Sequence, residues 1–248
     1  AARDSEGRLR VAAAVGVGLP GVAFDQHVSW LPNASFLEGD RLARDLGAMC
    51  AAPVFCANDA HTALLGEARF GAARGTEVAL LISVGTGVGG AVLIGRRLFR
   101  GASGSAGSFG WVNLGLEDVW HPEHGQLELT ASGTALAEQA RSLGLTAREL
   151  VAAAHAGEEK AAAVIRLFAR RLGTALATLV SVFDPQVVLL SGGLSAEFDL
   201  LAPGIHQAVQ RHASPSGKAV AIRAASLGPE AGAVGAAALG REGRAAFL

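Results

Sequence analysis

The sequence is poor in cysteine, has no excess of charge of either sign and contains no long apolar run, and each absence excludes a class of protein. Its 248 residues include only two cysteines, Cys50 and Cys56, without the spacing of a metal or redox motif. So few thiols in a chain of this length favour a reducing compartment, and we expect a cytoplasmic protein. No apolar run approaches the ~20 residues of a membrane span, and no charged start followed by an apolar core marks a signal peptide.

Charge is nearly balanced, with 21 basic and 22 acidic residues interspersed along the chain. A polyanion-binding face would need a basic excess, so we expect neither nucleic acid nor a membrane as a partner of this segment. Hydrophobic residues make up 50% of the chain, which is ample for the core of one large domain or two small ones. The sequence begins with Ala1 rather than Met, and we expect the natural N-terminus to extend further.

The most informative stretch is the segment 78–94, in which two apolar, strand-like runs flank the turn Gly85-Thr86-Gly87-Val88-Gly89-Gly90. Glycine leaves no Cβ between backbone N–H groups and an anion, so consecutive amides can converge on phosphate oxygens. We interpret the turn as a phosphate-binding loop inside a hairpin. A plain tight turn with no ligand is the open alternative.

The same letters fit the dinucleotide-binding pattern G-x-G-x-x-G, through Gly85, Gly87 and Gly90. That pattern requires a helix that opens at the loop and an acidic residue about 20 positions further on. Here an apolar run, residues 91–94, follows the loop, and the first acid is Glu117. The context therefore excludes a Rossmann unit and favours a hairpin.

Short apolar runs alternate with segments of helical spacing along the rest of the chain. Strands are predicted at 10–18, 53–57, 186–193 and 219–224, and helices at 37–49, 60–70, 127–140, 147–154, 160–183, 194–212 and 226–238. Residues 101–126 are a small-residue loop and an irregular polar stretch, which suits a loop that covers a substrate. The alternation predicts a layered α/β architecture, with a domain joint at residues 71–75.

Polar or glycine residues follow several predicted strands. Asn58 and Asp59 end one strand, Gly85 ends a second and Gly192 ends a third. In open α/β sheets the carboxyl ends of the strands meet at one edge, where ligands bind, so we expect Asp59 and the glycine turn to face a shared crevice. Asn58 and Asp59 also fit a plain helix N-cap, and that alternative remains open.

Five blocks of sequence occur in a specific order: Asn58–Glu67, Gly85–Gly90, Leu127–Leu136, Phe183–Gly193 and Ala231–Ala237. In this order they resemble the ROK family of sugar kinases and sugar-responsive repressors, from about Val11 to Ala238. The resemblance implies an α/β, actin-like ATPase (ribonuclease H-like) fold of two domains, with the N-terminal domain partly missing. Residues 1–74 would belong to the small domain and 75–248 to the large domain, with the last helix, about 230–248, packing back on the small one.

The resemblance also implies roles for matched residues. Asp59 matches the catalytic base, and a carboxylate is suited to take the proton of a hydroxyl that attacks phosphorus. Substrate-binding roles are implied for Asn33, Asn58, Asp59 and Glu128, and nucleotide-binding roles for Gly85, Thr86, Gly87, Gly89, Gly192 and Gly193. Glu128 also fits a solvated acid in the first turn of a helix, where the helix dipole favours it.

Three departures from the family pattern change these expectations. Ser108-Phe-Gly-Trp111 stands where family kinases carry Glu-x-Gly-His, so Ser108 and Trp111 become the candidate substrate-binding residues, and Trp111 is suited to stack on a sugar ring. A Cys cluster that binds zinc is replaced by residues 119–126, where only His121 stands at a former ligand position, and we predict no zinc. The pair His121 and His124 would need a third partner to hold a metal. Finally, the chain starts after the Asp-Gly-Thr phosphate loop, which includes a residue expected to serve Mg²⁺.

The resemblance implies an ATP-dependent sugar kinase that uses ATP and Mg²⁺ and forms a homodimer. Its acceptor would be a hydroxyl of a hexose, an N-acyl hexosamine or a related cyclitol. The alternative is a non-catalytic, sugar-sensing or regulatory protein of the same fold, which the changed ligands favour. An acyltransferase or hydrolase centred on Ser103, Ser105 or Ser108 is poorly supported, because the sequence has no G-x-S-x-G elbow.

Overall fold

Strands and helices alternate in the computed structural model, which describes residues 13–24, 27–31 and 34–248. The strands are β1 (Val15–Leu19), β2 (Val22–Phe24), β3 (His27–Ser29), β4 (Val54–Asn58), β5 (Val78–Val84), β6 (Val88–Ile94), β7 (Arg97–Leu98), β8 (Val187–Ser191) and β9 (Ala221–Ala224). The α-helices are α1 (Arg41–Cys50), α2 (Asp59–Phe70), α3 (Gln126–Ala131), α4 (Gly133–Ser142), α5 (Ala147–His155), α6 (Glu159–Phe183), α7 (Phe198–His212) and α8 (Ala231–Glu242). The predicted α/β class is confirmed.

The described strands form three sheets, with the orders β1-β4, β2-β3 and β7-β6-β5-β8-β9. Strands β5, β8 and β9 run parallel, and Ser83 on β5 lies opposite Ser191 on β8. The turns that follow these two strands, at Gly85 and Gly192, therefore leave the sheet at the same edge. This part of the expected shared edge is confirmed, whereas the position of Asp59 relative to it stays a prediction.

The described chain divides into two compact units, each built from more than one segment. The first contains the described residues up to Glu77, Ala91–Ala106 and Ser226–Leu248, and the second contains Val78–Gly90 and Gly107–Ala225. The domain boundary expected after residue 74 stays a prediction, because a compact unit is not yet an independently folding domain.

The first unit is organised around the parallel pair β1 and β4, in which Val15 lies opposite Val54. Helix α8 packs against both β1 and α2. Its small residues are needed for this packing, because a Cβ at Gly235 would overlap the carbonyl group of Thr62 on α2. The expectation that this helix approaches a neighbouring backbone closely is confirmed.

The second unit is built around β5, β8 and the long helix α6, which lies within one residue of its predicted bounds. Ile165, Phe168 and Leu172 are among its buried side chains, and the helix packs against α7. A buried apolar stripe of this length gives α6 its stability through packing rather than through intrinsic helix propensity.

The structure departs from the predicted elements at two places. The predicted helix over 127–140 is interrupted at Ser132, whose hydroxyl accepts a hydrogen bond from Ala135 N at 3.1 Å and caps a new helix, α4. The predicted strand 53–57 continues to Asn58, and Asp59 is already the first residue of α2.

The predicted loop over 101–126 is confirmed up to residue 125, apart from a 3₁₀ turn at Phe109–Trp111, and Gln126 is already the first residue of α3. None of the helices in the described ranges combines the length and the apolar character that a membrane span requires.

Candidate active site

The glycine turn between β5 and β6 is held by the N-terminus of α4. Gly133 N donates to the carbonyl oxygen of Gly85 at 2.7 Å, and the Thr134 hydroxyl donates to that of Thr86 at 2.8 Å. Gly85 N in turn donates to the carbonyl oxygen of Gly87 at 3.0 Å. The predicted hairpin is confirmed, and a strand rather than a helix follows the turn.

Two backbone N–H groups at the tip of this turn have no acceptor within the described chain. Val88 N donates to the Glu128 carboxylate at 2.8 Å, whereas Thr86 N and Gly87 N donate to none of the described residues. Thr86 is exposed. Adjacent N–H groups that lack internal acceptors can converge on an anion, and phosphate oxygens suit them. The turn therefore has the donors that the predicted phosphate-binding loop requires.

Glu128, in the first turn of α3, uses both carboxylate oxygens. Oε2 accepts from Val88 N, and Oε1 lies 2.6 Å from Nδ1 of His124. The contact with the hairpin is close, because a Cβ at Gly87 would overlap the Glu128 carboxylate. Glu128 is therefore more than a solvated first-turn acid, although its predicted role as a sugar ligand stays a prediction.

A cavity of about 260 Å³ lies beside the hairpin turn within the second unit. The residues that line it come from the turn, from His124 and from α3 and α4: Thr86, Gly87, His124, Glu128, Leu129, Ser132, Thr134, Ala135 and Glu138. Its volume is close to the lower end of the range for small-molecule sites. It offers a combination of backbone donors, hydroxyl groups, one imidazole and the two carboxylates of Glu128 and Glu138.

Ser108 precedes the 3₁₀ turn Phe109–Trp111, and Trp111 is the last residue of that turn. Phe109 is buried against Gly90 of the hairpin and anchors the turn. Trp111 is 52% exposed, and its Cα lies against Gly125 at the start of α3. The exposed side chain of Trp111 fits the predicted substrate-binding role, which stays a prediction for both Ser108 and Trp111.

The predicted nucleotide-binding pair Gly192 and Gly193 forms an exposed turn after β8. Gly192 has a φ of +84°, and a Cβ there would come within 2.5 Å of the carbonyl oxygen of Val84. A side chain at this position would push β5 and β8 apart where both strands end. Gly89, the remaining predicted phosphate-loop residue, lies within β6.

Asp59 occupies the N-terminal turn of α2 in the first unit. Its Oδ1 accepts from Ala60 N at 2.8 Å, and the residue remains exposed to solvent. Partial burial among neighbouring protein atoms raises the pKa of Asp59, while the Ala60 N–H group and His61 act in the opposite direction. A carboxyl group with a raised pKa and access to solvent is suited to accept a proton.

Asn58 is a genuine helix N-cap. Its Oδ1 accepts from Ala60 N at 2.9 Å, and its Nδ2 donates to the carbonyl oxygen of Gly21 at 3.0 Å. The capping alternative is thus confirmed for Asn58 and leaves its sugar-binding role a prediction. Asn33, the other predicted amide ligand, lies outside the described residues.

Sequence reasoning missed a buried histidine beside the candidate base. His61 is 1% exposed, its Nε2 lies 2.8 Å from the carbonyl oxygen of Ala106, and its buried Nδ1 has no partner within the described chain. Burial lowers the pKa of His61. A neutral ring that donates from Nε2 ties α2 to the loop ending at Ala106. The only indication of His61 in the sequence is its position two residues after Asp59.

The histidines that were considered as metal ligands lie close together but lack a third partner. The ring centroids of His121 and His124 are 4.8 Å apart, and Nδ1 of His121 accepts from Glu123 N at 3.1 Å. In the part of the chain that the structure describes, no group of three or more His, Cys, Asp or Glu residues is arranged to hold a metal ion.

A family model described as the ROK family matches residues 2–242. The chain belongs to the ROK family. The glucokinase of Streptomyces coelicolor is 33% identical over 262 residues, a match that covers 92% of this chain and 80% of that protein. The bifunctional enzyme NanE/NanK of Brucella melitensis is 39% identical over 198 residues, covering 77% of this chain but 36% of the enzyme. This ROK chain thus spans about a third of the length of that relative.

Solved ROK structures share the fold. A glucokinase from Streptomyces griseus, determined in complex with glucose and AMPPNP, superposes with a TM-score of 0.80 at 32% identity. The superposition covers 93% of this chain and 82% of that one. The predicted actin-like ATPase fold is therefore confirmed for this ROK protein.

Proposed function

We propose that this protein is an ATP-dependent sugar kinase, which transfers the γ-phosphate to a hydroxyl of a hexose, an N-acyl hexosamine or a related cyclitol. The observation that carries the proposal is the hairpin turn, in which α4 and Glu128 hold the backbone while Thr86 N and Gly87 N keep no internal acceptor. Family membership and the likeness to a glucokinase that was solved with AMPPNP support the same assignment.

In the proposed reaction Asp59 takes the proton of the sugar hydroxyl as the hydroxyl oxygen attacks the γ-phosphorus. The bond between the γ-phosphorus and the β–γ bridging oxygen breaks, and ADP leaves with the electron pair of that bond. Catalysis of this transfer depends on positioning and on the stabilisation of charge on the phosphate oxygens. The amides of Thr86 and Gly87 would supply that stabilisation, and Gly192 and Gly193 would line the adenosine side.

Mg²⁺ would enter with the nucleotide. Proteins usually hold it through one or two carboxylates, water and the phosphates of the substrate. When bound, the ion neutralises charge on the β- and γ-phosphates. The donors of the glycine turn are N–H groups, which suit phosphate oxygens and not the cation.

The proposed substrate site combines polar side chains with one aromatic side chain. Glu128 and Ser108 offer oxygen atoms to hydroxyl groups, and the exposed indole of Trp111 offers a surface to the apolar face of a ring. Because Ser108 and Trp111 replace a Glu and a His of the family pattern, we propose a substrate preference that differs from that of a plain glucokinase.

The experiment is to incubate the natural full-length protein with ATP, Mg²⁺ and a panel of glucose, N-acetylglucosamine, N-acetylmannosamine and cyclitols. Phosphorus NMR would detect the sugar phosphate and ADP. We expect one phosphorylated product and weaker activity on the other sugars. Equal or better activity on glucose would contradict the altered preference, and no phosphorylated sugar in the panel would contradict the kinase.

The second candidate is a sugar-sensing regulator with the same fold, favoured by the substitution of Ser108 and Trp111 for two sugar ligands. It predicts that sugars bind, as calorimetry would detect, while no phosphate is transferred. Both candidates are compatible with a homodimer, and sedimentation of the full-length protein would test that assembly.

A further inference from the structure

The orientation of His124 is fixed by Glu128. Nδ1 of the imidazole lies 2.6 Å from Oε1 of Glu128, and the second oxygen of the same carboxylate accepts from Val88 N at 2.8 Å. An ionised carboxylate can only accept hydrogen bonds, so Nδ1 must carry a hydrogen. In the neutral ring Nε2 is then an acceptor, because the partner of one ring nitrogen sets the tautomer of the other.

The second nitrogen of this ring is available to a ligand. Nε2 of His124 makes no hydrogen bond to any residue in the described ranges, and 49% of the side chain is exposed. The ring lines the cavity of about 260 Å³, together with Thr86, Gly87 and Glu128. A His–Glu pair that only stabilises a loop would not have to line the cavity.

The backbone of an exposed tryptophan lies next to the residue that follows His124. Gly125, the residue after His124, touches the backbone of Trp111, whose side chain is 52% exposed. Gly110 likewise lies against the Cβ of Glu128. An exposed indole and an oriented hydrogen-bond acceptor on neighbouring segments of backbone are a combination that suits a ring with hydroxyl groups at its edge and an apolar face.

We infer that His124 is a specificity-determining residue, whose Nε2 accepts a hydrogen bond from one hydroxyl, or one N-acyl N–H group, of the sugar or cyclitol. This inference rests on the proposed sugar-binding function. Glu128 acts as the positioning residue for His124, and Val88 N holds Glu128 in place. In the family pattern a His stands at the position of Trp111. Here the imidazole of His124 would contact the substrate instead, from a different position in the chain.

The test combines protein variants with sugar analogues and measures the binding affinity of each pair. The best-binding sugar of the panel and its monodeoxy analogues are titrated into the wild type and into His124→Ala, with tryptophan fluorescence or calorimetry as the readout. In the wild type, removal of one particular hydroxyl should weaken binding about five- to tenfold, the value of one hydrogen bond. In His124→Ala the same removal should change binding less than twofold.

His121→Ala is the matched control, since it removes a histidine three positions away that does not line the cavity. It should keep the wild-type preference for the hydroxyl. His124→Gln should restore part of the preference, because the amide oxygen can accept where Nε2 did. Thermal melts of each variant would separate a specific effect from misfolding.

If His124→Ala discriminates among the deoxy analogues as the wild type does, the inference is wrong. The same result for His121→Ala as for His124→Ala would also overturn it, because loop stacking would then explain the effect. A wild type that binds sugar without transferring phosphate overturns the kinase alone, and the binding measurements still decide on His124. A wild type that binds no sugar overturns both.

Discussion

The two regions predicted to carry the chemistry are built in different ways. In the glycine turn of the second unit the candidate ligands are backbone N–H groups, which are positioned by Gly133, Thr134 and Glu128. At the N-terminus of α2 in the first unit the candidate is one carboxylate, Asp59, whose pKa is raised by burial. One region depends on the shape of the backbone and the other on the ionisation of a single group.

Because the two regions are built differently, different substitutions should inactivate each of them. A site made of backbone amides tolerates most side-chain changes but not an added Cβ that displaces its supports. A site made of one carboxylate tolerates small shifts in shape but not the loss of its charge. Nucleotide affinity and proton transfer should therefore respond to different substitutions.

The largest effect that separates the two regions is expected for Gly87→Ala. The added Cβ overlaps the carboxylate of Glu128 and must displace it from Val88 N. We expect kcat/KM for ATP to fall about a hundredfold, comparable to the loss of a donor that stabilises transition-state charge. Steady-state kinetics with varied ATP would measure it.

Gly232→Ala on α8 is the matched control, because a Cβ there meets only the hydroxyl of Thr62 at 4.0 Å. It should leave ATP kinetics unchanged. If Gly87→Ala behaves like this control, the hairpin does not contact the nucleotide in the way proposed.

The pH dependence of kcat/KM should report on the other region. Asp59 must be ionised to accept a proton, so activity is present above its pKa and is lost as the pH falls through it, about tenfold for each pH unit. Because burial raises this pKa, the loss should begin at a higher pH than the ordinary Asp value of about 3.9 permits. ATP affinity, measured in parallel, should not follow the same curve. A profile that stays flat down to about pH 4 would contradict the role of Asp59.

Folding stability should depend on His61 in mildly acidic solution. Its pKa in the folded protein is lowered by burial, so the unfolded chain binds the proton more readily. The stabilisation is present above about pH 6.5 and is lost as the pH falls below it, by up to about 1.4 kcal/mol per unit. Urea unfolding at pH 7.5 and 5.5 would measure the loss.

His61→Gln is the control for this effect, since its amide can still donate to the carbonyl oxygen of Ala106 but does not titrate. Its stability should fall less between the two pH values than that of the wild type. An equal fall in both proteins would show that other groups cause the dependence.

A smaller effect is expected where the hairpin turn is held by one hydroxyl. Thr134→Val keeps the shape of the side chain but removes the hydrogen bond to the carbonyl oxygen of Thr86. We expect KM for ATP to rise roughly threefold, whereas Thr134→Ser should stay near the wild type. Equal KM values for the two variants would mean that this contact does not position the turn.

The hairpin and the long helix α6 were predictable because their signals are local. Apolar runs around glycines specify the first, and a sustained stripe that includes Phe168 and Leu172 specifies the second. The break at Ser132 was missed because a capping serine inside an apolar periodicity does not change the spacing.

The contacts that shape the candidate site were less predictable, because they join residues far apart in the chain. Gly133 meets Gly85, and Glu128 meets Val88, across 48 and 40 positions respectively. The pairing of His124 with Glu128 was within reach of the sequence, since the two are four residues apart. A spacing of four residues alone does not distinguish this pairing from a metal-binding role for His124.

The most direct test of the account is a single-turnover measurement of phosphoryl transfer from bound ATP to the preferred sugar, in the wild type and in Asp59→Asn. Asp199→Asn, an exposed acid on α7, is the control. We predict that Asp59→Asn binds ATP normally but transfers phosphate at least about a hundredfold more slowly, while Asp199→Asn matches the wild type. Transfer by Asp59→Asn at the rate of the wild type would contradict the account.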